Sequence, residues 1–237
     1  MLRTMNRTLM TVWFALDTTI FVPSNAKNTV SFHSPLKSYI DARMGEFDQI
    51  PVDRRAELAD FAKRIQAGGH DGVRKLNFIC THNSRRSHLA QIWATVAAQH
   101  FGVDGIETFS GGTEATAMNS RIVDTLRRSG LSVSTNPGPA HTNPLYKVAY
   151  SDSDVAPAVE CFSKVYDQSP NPSEDFIAVM VCSNADTHCP IVRGASDRIV
   201  IKYDDPKVSD DTVDESVIYD ARCGQIAREM LYAFSLL

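Results

Sequence analysis

Residues 76–94 read L-N-F-I-C-T-H-N-S-R-R-S-H-L-A-Q-I-W-A. Leu76 to Cys80 is a short, mainly apolar run that fits a buried strand. A short polar loop follows, and from Ser87 to Phe101 the pattern is that of an amphipathic helix. A tight loop feeding a helix N-terminus turns several backbone N–H groups inward, and the helix dipole adds partial positive charge there. Arg86 can fork two donors onto a tetrahedral oxyanion. The same field stabilises a thiolate at Cys80, and the Ser87 hydroxyl can donate to that sulfur. The strand end thus fixes a nucleophile and the helix end binds the charge it attacks. Thr81, His82, Asn83, Ser84, Arg85, Arg86 and Ser87 are read together as an oxyanion-binding loop. The competing reading is a buried cysteine that merely ends a strand, with Arg86 solvated.

Working outward, strands and helices alternate. I-E-T-F-S (106–110) reads as a strand and N-S-R-I-V-D-T-L-R-R-S-G (119–130) as a helix with a glycine stop. F-I-A-V-M-V-C (176–182) is the most apolar strand, R-I-V-I-K-Y (198–203) is another, and residues 215–234 form a long closing helix. This order predicts an α/β fold: a four-stranded parallel sheet with helices on both faces. Ligands of such sheets sit beyond the carboxyl ends of the strands. Cys80, Cys182 and the D-D-P after Tyr203 are all expected on that rim. Residues 135–175 read as loop-rich.

Upstream, Pro51 suits a first helical position, and Leu58, Phe61, Ala62 and Ile65 fall on one helical face before Gly68-Gly69. The expected organisation is a disordered or targeting-like extension (1–34), a helical N-terminal cover (35–70) and one catalytic-type domain (74–237). The 237 residues carry a net charge of −4 with no long Lys/Arg stripe, which argues against a nucleic-acid partner. Residues 1–22 hold two arginines and an apolar run that Asp17 interrupts, too short to span a membrane. Five irregularly spaced cysteines in a chain this long do not form a small secreted disulfide scaffold. Working thiols in a reducing cytoplasm fit better, with no membrane partner.

On these residues the chain resembles the low-molecular-weight protein-tyrosine-phosphatase superfamily, whose fold is shared by thioredoxin-coupled arsenate reductases. The superfamily loop is C-x-G-N-x-x-R-S directly after a strand. Cys80, Asn83, Arg86 and Ser87 stand in register; His82 replaces the glycine, and Arg85 stands where a second cysteine is common. S-G-G-T (110–113) resembles the S-A-G-T after the second strand. The resemblance covers roughly residues 74–237 and implies the low-molecular-weight phosphatase-like fold.

V-M-V-C-S-N-A-D-T-H-C-P (179–190) places Cys189 seven positions after Cys182. A zinc site would want closer cysteine spacing and a second pair, and a structural pair is also open; no metal or cofactor is expected. The segment resembles the C-x6-C-P of thioredoxin-coupled arsenate reductases, which implies a redox relay. Cys80 attacks arsenate, Cys182 attacks the Cys80 sulfur as arsenite leaves, Cys189 resolves Cys182, and thioredoxin reduces the resulting disulfide. By the same resemblance Asp205, the aspartate before proline in Y-D-D-P-K (203–207), is the acid, with Asp204 as fallback. Lys207, Val208 and Ser209 follow where the phosphatases often carry aromatics. Two other readings stand beside arsenate reduction: phosphomonoester hydrolysis through a Cys80 phosphoenzyme, and an oxyanion-binding or redox-sensing protein without turnover. Cys223 reads as a buried thiol, and Cys161 has no evident partner.

Overall fold

A computed structural model describes residues 30–69, 72–135, 142–153, 156–188 and 191–237. The helices and strands are α1 (Ser34–Met44), α2 (Val52–Ala67), β1 (Arg74–Cys80), α3 (Arg86–Phe101), β2 (Ile106–Gly112), α4 (Ser120–Arg128), β3 (Ser132–Thr135), β4 (Tyr146–Ala149), β5 (Val159–Cys161), β6 (Phe176–Met180), α5 (Ser183–His188), β7 (Ala195–Val200) and α6 (Glu215–Phe234). Four strands form a parallel sheet in the order β2-β1-β6-β7. Interior strands of a parallel sheet are covered on both faces. That is why β1 is buried from Leu76 to Cys80 and β6 along its whole length. The fold is therefore α/β, as the alternation of elements indicates.

The helices before β1 share the core of the sheet. Leu58, Phe61, Ala62 and Ile65 of α2 are all buried, and Phe61 meets Phe78 of β1 edge-on at 6.4 Å. Tyr39 of α1 stacks on the buried Trp93 of α3 at 5.4 Å. Residues 1–29, which include the targeting-like run, lie outside the described residues. Among the described residues no helix is long and apolar enough to cross a membrane.

Two expectations need correction. The segment 135–175 is not simply loop: β3, β4 and β5 form a second, antiparallel sheet in that order, with Val133 opposite Val148 and Val148 opposite Val159. Strands of three or four residues are too short to display a period of two in sequence. The last parallel strand runs from Ala195 to Val200 instead of 198–203. Its hydrogen bonding continues irregularly past the strand, with Ile201 N–H to Met180 O at 3.0 Å and Tyr203 N–H to Val181 O at 3.1 Å. These bonds draw the segment carrying Asp204 and Asp205 alongside the end of β6.

Candidate active site

The loop after β1 has its carbonyls held outward. Cys80 O accepts from Thr113 N–H (3.1 Å), and Thr81 O from Glu114 N–H (2.8 Å) and the Thr113 hydroxyl (3.1 Å). His82 O accepts from the hydroxyls of Ser163 (2.9 Å) and Thr116 (3.1 Å). Asn83 O accepts from His88 Nε2 (2.9 Å), Ser84 O from Asn119 N–H (3.0 Å) and Arg85 O from Leu89 N–H (3.1 Å). Six consecutive carbonyls are thus engaged by groups outside the pocket. This arrangement leaves the inner side of the loop to N–H groups, an anion-binding concavity. Gly112 makes it possible: a Cβ there would lie 2.6 Å from Thr81 O and 2.7 Å from Asn83 N. Gly111, in place of alanine in the resembled pattern, sits against Tyr166, whose Cα would be 2.3 Å from an added Cβ.

The bend itself falls on Asn83, whose φ is 43°. Asparagine tolerates this left-handed conformation better than other non-glycine residues. His82 is absent from the positive-φ positions, so histidine in place of glycine imposes no backbone strain. Asn83 is fully buried, and its amide orientation follows from its partners. Oδ1 accepts the Lys164 backbone N–H at 2.9 Å, so Nδ2 must be the group donating to Ser87 Oγ at 2.8 Å. Ser87, accepting from Asn83, directs its own hydrogen to Cys80 Sγ at 3.1 Å. A backbone N–H 81 positions further along the chain than Asn83 thereby sets the donor that faces the candidate nucleophile.

His88 completes this support and was not singled out by the sequence pattern. Its Nε2 donates to Asn83 O, and its Nδ1 accepts from the Ser110 hydroxyl at 3.2 Å, which defines a neutral imidazole. Burial, aided by the Lys164 ammonium, pushes its pKa down to about 3. In the unfolded chain histidine titrates near about 6.5. Between those values the unfolded state binds a proton that the folded state refuses. Stability therefore falls as pH drops from about 6.5 toward 3, by up to about 1.4 kcal/mol per unit from this residue. Urea unfolding at pH 7, 5 and 4 is expected to show a shallower fall for His88→Gln; equal slopes would count against the neutral, buried imidazole.

Arg86 and Asp205 meet across the pocket. Arg86 donates to Asp205 Oδ2 at 2.5 Å and to Tyr203 O at 3.0 Å, while its Nε is buried without a partner among the described residues. Cys80, His82, Ser84, Arg85, Arg86 and Asp205 line the small pocket. Asp205 Oδ1 also accepts from Lys207 N–H at 3.1 Å, which caps the short 3-10 turn 206–209. Asp204 is elsewhere: its exposed carboxylate pairs with Arg222 at 3.2 Å. Arg85 lines the pocket, but its guanidinium is committed to Tyr219 Oη (2.7 Å) and Asp210 (2.9 Å). The positive charge that Arg85 brings to the mouth is therefore neutralised.

Cys182 follows the end of β6, next to the loop. Ile79 pairs with Met180, and Thr81 Oγ1 lies 3.5 Å from Cys182 Sγ. The Cys182 sulfur accepts Ala185 N–H at 3.4 Å at the start of α5. Asp186 of α5 is held by Lys202 (2.8 Å) and Arg198 (2.6 Å), which keep its carboxyl below the ordinary range. Cys189 lies outside the described residues. Cys80, Cys182, Arg86 and Asp205, scattered over more than a hundred residues, are gathered at one end of the sheet.

No family model matches the chain. Among curated proteins, "Arsenate reductase 2" of Staphylococcus epidermidis is 28% identical over 129 residues, 54% of this chain and 76% of that protein. Over about half of its length this chain is similar to curated arsenate reductases. Among solved structures, an arsenate reductase in its phosphate-binding state aligns with a TM-score of 0.44 at 14% identity, over 69% of this chain and 98% of that one. A thioredoxin-dependent arsenate reductase of Corynebacterium glutamicum aligns with a TM-score of 0.38 at 16% identity, over 85% and 96%. The likeness to arsenate reductases supports a cysteine-based enzyme.

Two further thiols stand apart from the pocket. Cys161 is buried in β5, and burial pushes its pKa up to about 12. Cys223 is buried in α6, accepts Trp93 Nε1–H at 3.2 Å, and is pushed up to about 11, chiefly by burial. Both are protonated and packed at neutral pH.

Proposed function

We propose that the protein reduces arsenate through Cys80, Cys182 and Cys189, with thioredoxin as electron donor. The observation that carries this reading is the position of Cys182, whose sulfur lies beside Thr81 of the anion loop. A phosphomonoesterase requires no thiol there.

Arsenate enters the loop and takes Arg86 from Asp205; the free Nε and a terminal nitrogen then grip two of its oxygens. The Cys80 thiolate attacks arsenic, and an arsenate oxygen leaves as water with a proton from Asp205. The Cys182 thiolate attacks the Cys80 sulfur. The S–As bond breaks with its electron pair on arsenic, so As(V) becomes As(III) while two thiols become a disulfide. Cys189 then attacks Cys182, releasing Cys80 as a thiolate, and a thioredoxin dithiol reduces the Cys182–Cys189 disulfide.

That last disulfide conflicts with α5. The six helical residues between the two cysteines rise about 9 Å, whereas bridged cysteines hold their Cα atoms about 4.4–6.8 Å apart. Oxidation is therefore expected to unwind α5 and release Asp186 from Lys202 and Arg198. Hydrogen exchange on reduced and oxidised protein tests this. Lost protection over 183–188 supports the relay, and identical protection counts against it.

The test of function is arsenate-dependent NADPH oxidation with thioredoxin and thioredoxin reductase. Turnover supports the reductase reading. No turnover, with hydrolysis of an aryl phosphate, would transfer the assignment to a phosphomonoesterase. Against phosphotyrosine stands the pocket lining, which among the described residues contains no Phe, Tyr or Trp side chain. Neither activity, with an oxidisable thiol pair, would indicate an oxyanion-binding or redox-sensing protein.

A further inference from the structure

Arg54 lies on α2, far in sequence from the loop, yet it reaches the segment that faces Arg86. Its Nε donates to Glu229 at 2.8 Å, and its terminal nitrogens donate to Glu57 at 2.7 Å and to the Lys202 carbonyl at 3.1 Å. Its guanidinium carbon sits 5.0 Å from the centroid of the Tyr203 ring. Glu229, on α6, is almost wholly buried and also accepts from Gln225 at 3.0 Å. Burial, with the Glu229 carboxylate alongside, raises the Tyr203 phenol well above its ordinary value, so the ring stays neutral.

One arginine therefore grips the segment 202–203 from two sides, by its carbonyl and by its aromatic face. That segment is what meets Arg86: Tyr203 O accepts from one terminal nitrogen of Arg86, and Asp205 accepts from the other. We infer that Arg54 is a positioning residue, by which the helix before the sheet orients Arg86 and Asp205 for oxyanion binding. The inference rests on the reading of the Cys80 loop as an oxyanion cradle. Without Arg54 the segment 202–205 loses its fixed backing, and the Arg86 fork loses its alignment to the pocket. Arginine is required because it must bond a carboxylate and a carbonyl at once while stacking on a ring; an ammonium does not offer a planar face.

Inorganic phosphate is the probe, read as protection of Cys80 from iodoacetamide by peptide mass spectrometry on the full chain. Arg54→Met alone leaves Glu229 buried and unpaired and risks unfolding. The decisive variant is the double change Arg54→Met with Glu229→Leu, which removes both charges. The expected result is a folded protein by circular dichroism whose phosphate dissociation constant is raised about 10-fold, with Arg54→Lys between it and the wild type. Glu57→Gln, which touches only the half-exposed partner of Arg54, leaves the constant unchanged. A purely structural role predicts that the double variant regains both folding and affinity, and that outcome overturns the inference. Phosphate that does not protect Cys80 even in the wild type overturns the cradle itself, and this inference with it.

Discussion

Cys182→Ser is expected to lower arsenate-dependent NADPH oxidation at least about 10³-fold while leaving phosphate protection of Cys80 unchanged. The two readouts separate because they use different parts of the site. The cradle is built from Cys80 to Ser87 and closed by Arg86 and Asp205, none of which needs the Cys182 sulfur. On the proposed relay arsenite release does need it, because only a thiolate can take the Cys80 sulfur and leave the bonding pair on arsenic. A serine hydroxyl has nearly the same size, accepts the Ala185 N–H in place of sulfur, and is not ionised at neutral pH. The variant should therefore fold, bind oxyanion and stop at the Cys80 adduct. Any hydrolysis of an aryl phosphate would survive. Retained reduction in this variant would remove Cys182 from the relay, and joint loss of reduction and protection would make it a structural residue.

Arg86→Lys is expected to cut whichever turnover the protein shows by about 10²–10³, the usual loss when one preorganised donor to a developing oxyanion is removed. Charge is conserved, so the loss isolates geometry. Arg86 divides its donors among Tyr203 O, Asp205 and an unpartnered Nε. The planar fork can keep the Tyr203 bond for alignment while two nitrogens face the anion. A lysine ammonium can hold Tyr203 O or the anion, and it has no rigid plane. The weakening should appear in both the phosphate constant and kcat/KM. A variant with near wild-type values for both would show that the backbone N–H groups bind the anion without the guanidinium.

Much of the candidate site was legible in the chain because its parts are local. A strand, a seven-residue loop and a helix carry Cys80, Asn83, Arg86 and Ser87 within eight positions, and short-range chemistry dictates what such a unit can hold. The helical face of Leu58, Phe61, Ala62 and Ile65 was legible for the same reason. What was missed is long-range or too short to show a pattern. His88 looked like any helix residue; only its place beneath Asn83 O and beside Ser110 makes it a support of the loop. That Asp210 and Tyr219, from a later turn and helix, take up the donors of Arg85 was not legible in its neighbours along the chain.

By itself the sequence determined the alternation of strands and helices, the nucleophile-and-arginine loop and the second cysteine pair, since each follows from neighbours along the chain. The tertiary structure decided which strand ends lie together, that the left-handed bend falls on Asn83 and not on His82, and that Lys164 N–H sets the direction of the Ser87 hydrogen bond. It also decided that an arginine from α2 backs the segment carrying Asp205. Those facts depend on hydrogen bonds between residues dozens of positions apart. Such bonds form only where packing has excluded water from between their partners, and no local pattern of residues records them.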